Sequence, residues 1–88
     1  GEVNSIYKLG ELYLEGKEVK KDVQKALNYF KQSSKTNPKS SHQLGILYSE
    51  GKEVTKNMQK ALKYWEISAS MGNMDSHFDL GNYYFLLN

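Results

Sequence analysis

The sequence is poorest in cysteine, of which it has none. That removes disulfide staples, cysteine-based zinc sites and thiol chemistry together. It has one proline, Pro38, beside seven glycines, so chain-breaking residues are scarce and their positions decide the organisation. Charge of one sign is not in excess: 12 basic against 10 acidic residues leave +2, too little to argue for nucleic acid or an anionic membrane. No apolar run approaches the roughly 18 residues of a membrane span, and no basic-then-apolar signal opens the chain. Gly1-Glu2 stands where an initiator Met would, which suggests an excised piece or a processed product. What remains is 88 residues, 39% apolar and 25% charged, enough for one small globular domain and too apolar for disorder.

Those 88 residues repeat. Glu15-Gly16-Lys17-Glu18-Val19 recurs unchanged as Glu50-Gly51-Lys52-Glu53-Val54. At the same offset Leu9-Gly10 falls on Leu44-Gly45, Tyr13 on Tyr48, Gln24-Lys25-Ala26-Leu27 on Gln59-Lys60-Ala61-Leu62, and Tyr29-Phe30 on Tyr64-Trp65. After one inserted residue a third unit begins, with Leu80-Gly81 and Tyr84. Coincidence over this many positions is excluded, and repeats on this scale are the mark of stacked architectures.

Each unit reads as two helices. Ile6, Leu9, Leu12 and Tyr13 form one apolar stripe, and Gly16 follows where a left-handed C-cap is wanted. Asp22 and Asn57 stand at N-cap positions ahead of second stripes: Val23, Ala26, Leu27, Phe30 and then Met58, Ala61, Leu62, Trp65. Asn37 and Gly72 are expected to close the second helices in a left-handed backbone, and Pro38 to open the next. Helices are expected near 3–15, 22–35, 38–50, 57–71 and 74–87, with no strand. The expected fold is all-α: a right-handed superhelix of two full helix pairs, about 3–37 and 38–72, and a partial third at 73–88. Gly10, Gly45 and Gly81 are expected to admit a close neighbouring helix through Ala26 or Ala61, with Tyr13, Tyr48 and Tyr84 as large partners. Val19 and Val54, alone apolar in their loops, are expected to plug each loop onto the pair beneath.

The pattern Leu-Gly-x-x-Tyr-x-x-Gly, then Val-x-x-Asp/Asn-x-x-Lys-Ala-Leu-x-Tyr-aromatic, resembles Sel1-like repeats (SLR), a subfamily of the tetratricopeptide-repeat superfamily. The resemblance covers Ser5–Asn37, Ser40–Gly72 and a part-unit from Ser76. Two departures stand out. Ser5, Ser40 and Ser76 replace the alanine usual four residues before Leu-Gly, and the third unit stops matching after Tyr84, with Leu87 where Gly51 calls for glycine. The resemblance implies a scaffold or adaptor: a non-enzymatic module that binds a protein or peptide partner, with no catalytic residue and no cofactor. The alternative is a structural solenoid segment that spaces or joins other domains, or self-association through the apolar C-terminal helix.

In such a stack the first helices line the concave face. Their positions left over from the core are Asn4, Tyr7, Glu11 and Leu14, then Lys39, His42, Ile46 and Ser49, then Asp75, Phe78, Asn82 and Phe85. Tyr7, Leu14, Ile46, Phe78 and Phe85 would give a greasy strip suited to a peptide. The competing reading is that some of them complete the core or pack on absent repeats. The run Tyr83-Tyr84-Phe85-Leu86-Leu87 is unusual for a terminal unit, whose outer face is normally polar. It fits a fragment lacking its next helix, a homodimer through Tyr83, Phe85, Leu86 and Leu87, or a well-buried helix.

Other chemistry is weak. His42 and His77 are not equivalent in the repeat, and Asp75, His77 and Asp79 lack the spacing that puts metal ligands on one helical face. Serines cluster at helix ends, where they cap. Lys17, Lys21 and Lys25 recur as Lys52, Lys56 and Lys60, an edge that could attract anions. Glu15, Glu18, Glu50 and Glu53 recur with them, and a solvated mixed-charge edge is the expectation.

Overall fold

The computed structural model describes residues 2–87, with side chains from Ser5 onward; Asn4 of the concave set lies outside the described side chains. Five helices follow one another: α1 (Glu2–Glu15), α2 (Val23–Ser33), α3 (Pro38–Glu50), α4 (Met58–Ser70) and α5 (Met74–Leu87). All regular structure among the described residues is helical. α1 pairs with α2 and α3 with α4, while α2 meets α3 and α4 meets α5 across the joints, an all-α repeat superhelix.

The helix ends fall close to the expected ones, with α2 stopping at Ser33 rather than 35, because local chemistry fixes them. Gly16 and Gly51 take φ of 69° and 68°, and their N–H groups reach back to the carbonyls of Leu12 and Leu47. Asp22 and Asn57 cap α2 and α4 by accepting from the N–H of Lys25 and Lys60, each at 3.1 Å. The same two residues close their loops from the other side, donating N–H to the carbonyls of Tyr13 and Tyr48 at 2.9 Å. The glycine of the repeated motif and the capping residue six positions after it therefore fix the same hairpin of helices twice. Asn37 differs from expectation. Its backbone is extended (φ −124°), and it caps α3 by accepting from the Lys39 N–H rather than closing α2 in a left-handed turn. Asn73 likewise accepts from the N–H of Ser76 at the start of α5.

The core is one cluster of Ala26, Leu27, Phe30, Leu44, Leu47, Tyr48 and Ala61, spanning both pairs. Leu44 is wholly buried there, whereas its counterpart Leu9 is 38% exposed. The difference is positional: α2 packs on α3, and no described helix precedes α1.

The glycine-for-approach expectation holds for the first two units with a different partner. A Cβ on Gly10 would lie 2.6 Å from the Phe30 ring, and one on Gly45 2.3 Å from the Trp65 indole. The atoms nearest to each glycine are those of aromatic rings, rather than of Ala26 or Ala61. At Gly81 nothing lies within 4 Å, so the third glycine has no such neighbour. Tyr13 stacks on Tyr29 and Tyr48 on Tyr64, at 5.9 and 6.0 Å between ring centres. Lys25 and Lys60 lie over the Tyr13 and Tyr48 rings. Val54 packs against the core as a loop plug, whereas Val19 is half-buried and is not among the side chains packed on that cluster.

The joint between the pairs is lined with small hydroxyls. Ser33 and Ser40 share a hydrogen bond there and Ser41 donates to the Ser34 carbonyl, while within the second pair Ser68 of α4 donates to the Pro38 carbonyl of α3 at 2.6 Å. Small side chains let the helices close up, and each hydroxyl then needs a partner of its own.

Candidate functional site

Two cavities run across the first helices. The larger, about 530 Å³, is bounded by Tyr7, Lys8 and Glu11 of α1, Lys39, His42 and Gln43 of α3, and Asn73 and Asp75. The second, about 430 Å³, lies between α3 and α5, over Ile46, Ser49 and Glu50 on one side and Asp75, Phe78 and Asp79 on the other. Trp65 of α4 reaches its wall. His42 and Asp75 border both, so the two cavities meet along one groove.

The candidate residues fall into three groups. Tyr7, Glu11, His42, Ile46, Ser49 and Phe78 are brought together along this groove. Leu14 packs half-buried against the core, as Tyr7 also does from its own side. Asn82 and Phe85 are exposed further along α5 and border neither cavity.

Tyr7 serves both core and groove. Its ring tilts against Phe30 at 5.7 Å, and its hydroxyl donates to Glu11 Oε2 at 3.0 Å. Burial, together with the hydrogen bond and charge of Glu11, pushes its hydroxyl pKa up to about 12. His42 is held by Asp79, Nε2 to Oδ2 at 2.9 Å, and this contact ties α3 to α5 in the groove floor. Asp79 thus pairs with a histidine of another helix. In the repeat His42 is equivalent to Phe78, the residue before Asp79, and that equivalence alone does not bring the two side chains together. Among the described residues no three His, Cys, Asp or Glu side chains gather as a metal-binding set.

Lysines recur along the inter-helix loops and the second helices. Lys21 bridges to Glu53 of the next loop at 2.8 Å, and Lys25 and Lys60 sit on tyrosine rings. Half-exposed pairs of this kind add little to stability, under about 1 kcal/mol. On the last helix Met74, Phe78, Phe85, Leu86 and Leu87 are all well exposed, which rules out the buried-helix reading of the C-terminal run. Tyr83 is half-buried and meets Tyr84 edge-on at 5.5 Å. No helix among the described residues is long and apolar enough to cross a membrane.

Comparison with known proteins agrees with this geometry. The Sel1 repeat model matches residues 3–35 and 38–73. Among solved structures, the chain is similar to cysteine rich protein B of Helicobacter pylori, at 33% identity and a TM-score of 0.82, over 89% of this chain and 59% of that one. It is similar to c5321, a protective antigen of uropathogenic Escherichia coli strains displaying an SLR fold. That match has 30% identity, a TM-score of 0.87, and covers 98% of this chain but 19% of the antigen. A Sel1 repeat protein from Oxalobacter formigenes shares the fold at 24% identity and a TM-score of 0.85, over 94% of this chain and 63% of that one. The chain thus spans less than two thirds of each of these relatives. No curated protein sequence matches it.

Proposed function

The chain belongs to the Sel1 repeat family, and on that premise we propose that it is a non-catalytic interaction module whose first helices receive a segment of a partner protein. Sel1 repeat proteins are in general protein-interaction scaffolds. The observation that carries the reading is the groove itself: it crosses α1, α3 and α5, and Phe78 stands 72% exposed on its wall. An apolar ring in that position gains about 25 cal/mol for each Å² a partner covers. The core positions match between repeats, while the groove positions differ in each, as a surface reading an asymmetric ligand requires.

A photo-crosslinking amino acid placed at Ser49 or Phe78 of the full parent protein, in its own cells, tests this. Adducts from those positions, and none from exposed Asn28 on α2, are the expected result. Adducts from Asn28 alone would overturn it.

A second reading has its own observation. Gly10 and Gly45 each receive an aromatic ring, and Gly81 receives none, beside exposed Tyr84, Phe85, Leu86 and Leu87. This favours association through α5, either with another copy or with a neighbouring segment of a longer solenoid.

A further inference from the structure

We propose that the cavity between α3 and α5 binds a partner segment presenting an apolar side chain beside a lysine or arginine. This rests on the reading of the groove as the partner surface and names the chemistry that surface selects.

The argument begins with where charge is missing. All 12 basic residues are lysines, and none follows Lys63; from Tyr64 to the end the charged residues are Glu66, Asp75 and Asp79. A chain of net +2 therefore has an acidic last third. The cavities show the same asymmetry. Lys8 and Lys39 border the neighbouring cavity, and lysines line the three that lie on the loop edge and the second helices. The α3–α5 cavity has no lysine in its wall.

Its own groups divide cleanly. Ile46, Phe78 and the edge of Trp65 give an apolar floor. Of its three carboxylates, Asp79 is engaged by His42. Glu50 and Asp75, one on each helix, are exposed and make no ion pair among the described residues. An apolar floor between two uncommitted carboxylates is complementary to a side chain that is apolar along its stem and cationic at its tip, or to such a residue next to an aliphatic one. Phe78, with its face open, adds a ring on which a guanidinium or ammonium can rest. An acidic or phosphorylated segment would meet like charge on both walls. The apolar contact supplies affinity, and the carboxylates supply selectivity.

The test uses the intact chain and three acetylated, amidated peptides of Ser and Gly with a central Leu-Arg, Leu-Gln or Leu-Glu. Binding is followed by amide chemical shifts in the ¹⁵N-labelled protein. The Leu-Arg peptide should move the amides of Ile46, Glu50, Phe78 and Asp79, and bind roughly threefold to fivefold more tightly than Leu-Gln, with Leu-Glu weakest. The preference should shrink as salt rises, since both carboxylates are exposed. Substituting Glu50→Gln and Asp75→Asn together should make Leu-Arg and Leu-Gln bind alike, with Leu-Gln binding unchanged. Equal binding of Leu-Arg and Leu-Gln to the unaltered chain, or a preference that survives in the double variant, would overturn the proposal and leave the groove as the partner surface. Shifts confined to the lysine-lined cavities, or none with any peptide, would overturn both.

Discussion

The indole of Trp65 occupies the space in which a side chain on Gly45 would begin, 2.3 Å from an ideal Cβ, and Phe30 does the same to Gly10 at 2.6 Å. The repeat thus builds its helix pair as a ring seated on bare backbone. Gly81 keeps the glycine without the ring. Alanine at the three positions should therefore have opposite effects. Gly45→Ala and Gly10→Ala should each destabilise by about 1–3 kcal/mol, because a well-packed ring must move. Gly81→Ala meets nothing and should stabilise by up to about 1 kcal/mol through helix propensity. Chemical denaturation of the three variants checks this, and a destabilised Gly81→Ala would contradict it. Trp65→Phe, which copies the Phe30 pair, should cost little, since it also removes an indole N–H buried without an acceptor.

The serine joint gives a second contrast. Ser40 and Ser76 are equivalent in the repeat and both wholly buried, yet Ser40 has Ser33 as its partner and the Ser76 hydroxyl has none. Ser76→Ala should therefore be neutral or stabilising by about 1 kcal/mol. Ser33→Ala should be the costly change, by about 1–3 kcal/mol, because it strands the Ser40 hydroxyl. Ser40→Ala should fall between, as Ser33 still donates to the Tyr29 carbonyl at 3.1 Å. Thermal unfolding of the three variants orders them, and a Ser76→Ala loss as large as that of Ser33→Ala would refute the account.

The outcome at these positions shows what was legible beforehand. Helix ends could be read from the sequence because Gly16, Gly51, Asp22 and Asn57 act on their immediate neighbours, and the period of the repeat then supplied the stacking. The partner of Gly45 could not be read so directly. Ala61 and Trp65 both lie on the face of α4 toward α3, and side-chain direction decides between them. Asn37 departs from expectation for a related reason: an asparagine between two helices suits the end of one and the start of the next, and Pro38 after it favours extended backbone. The groove was harder still. Its candidate residues follow from the register, while the His42–Asp79 contact depends on how far α5 shifts past α3 after the inserted residue.

Tyr7 links the groove to pH. Its hydroxyl pKa stands at about 12 in the folded chain, raised by burial and then by Glu11, against about 10 when unfolded. The folded state therefore holds this proton more tightly. Its contribution to stability is complete below about pH 10 and is lost as pH rises from there through about 12. Tyrosinate absorbance should show a component titrating last, and Tyr7→Phe should remove that component and flatten the fall in stability over the same interval. A Tyr7→Phe protein with an unchanged titration curve would show that another tyrosine carries the shift.

The exposed face of α5 bears on association. Phe85 is 77% exposed and Leu86 and Leu87 nearly as much, so a monomer leaves three neighbouring apolar side chains in water at the end of one helix. If copies pair through this face, light scattering after size exclusion should give a mass that rises with concentration toward twice 10.1 kDa. Phe85→Glu with Leu86→Lys should return the mass to the monomer at all concentrations. In the monomer these positions touch little, so the double variant should unfold within about 0.5 kcal/mol of the original. Loss of association without loss of stability would place the contact on this face and separate it from the groove, since neither residue borders the cavities across α1, α3 and α5. A monomeric mass for the unaltered chain at high concentration would instead leave α5 to a different partner, and self-association through it would be excluded.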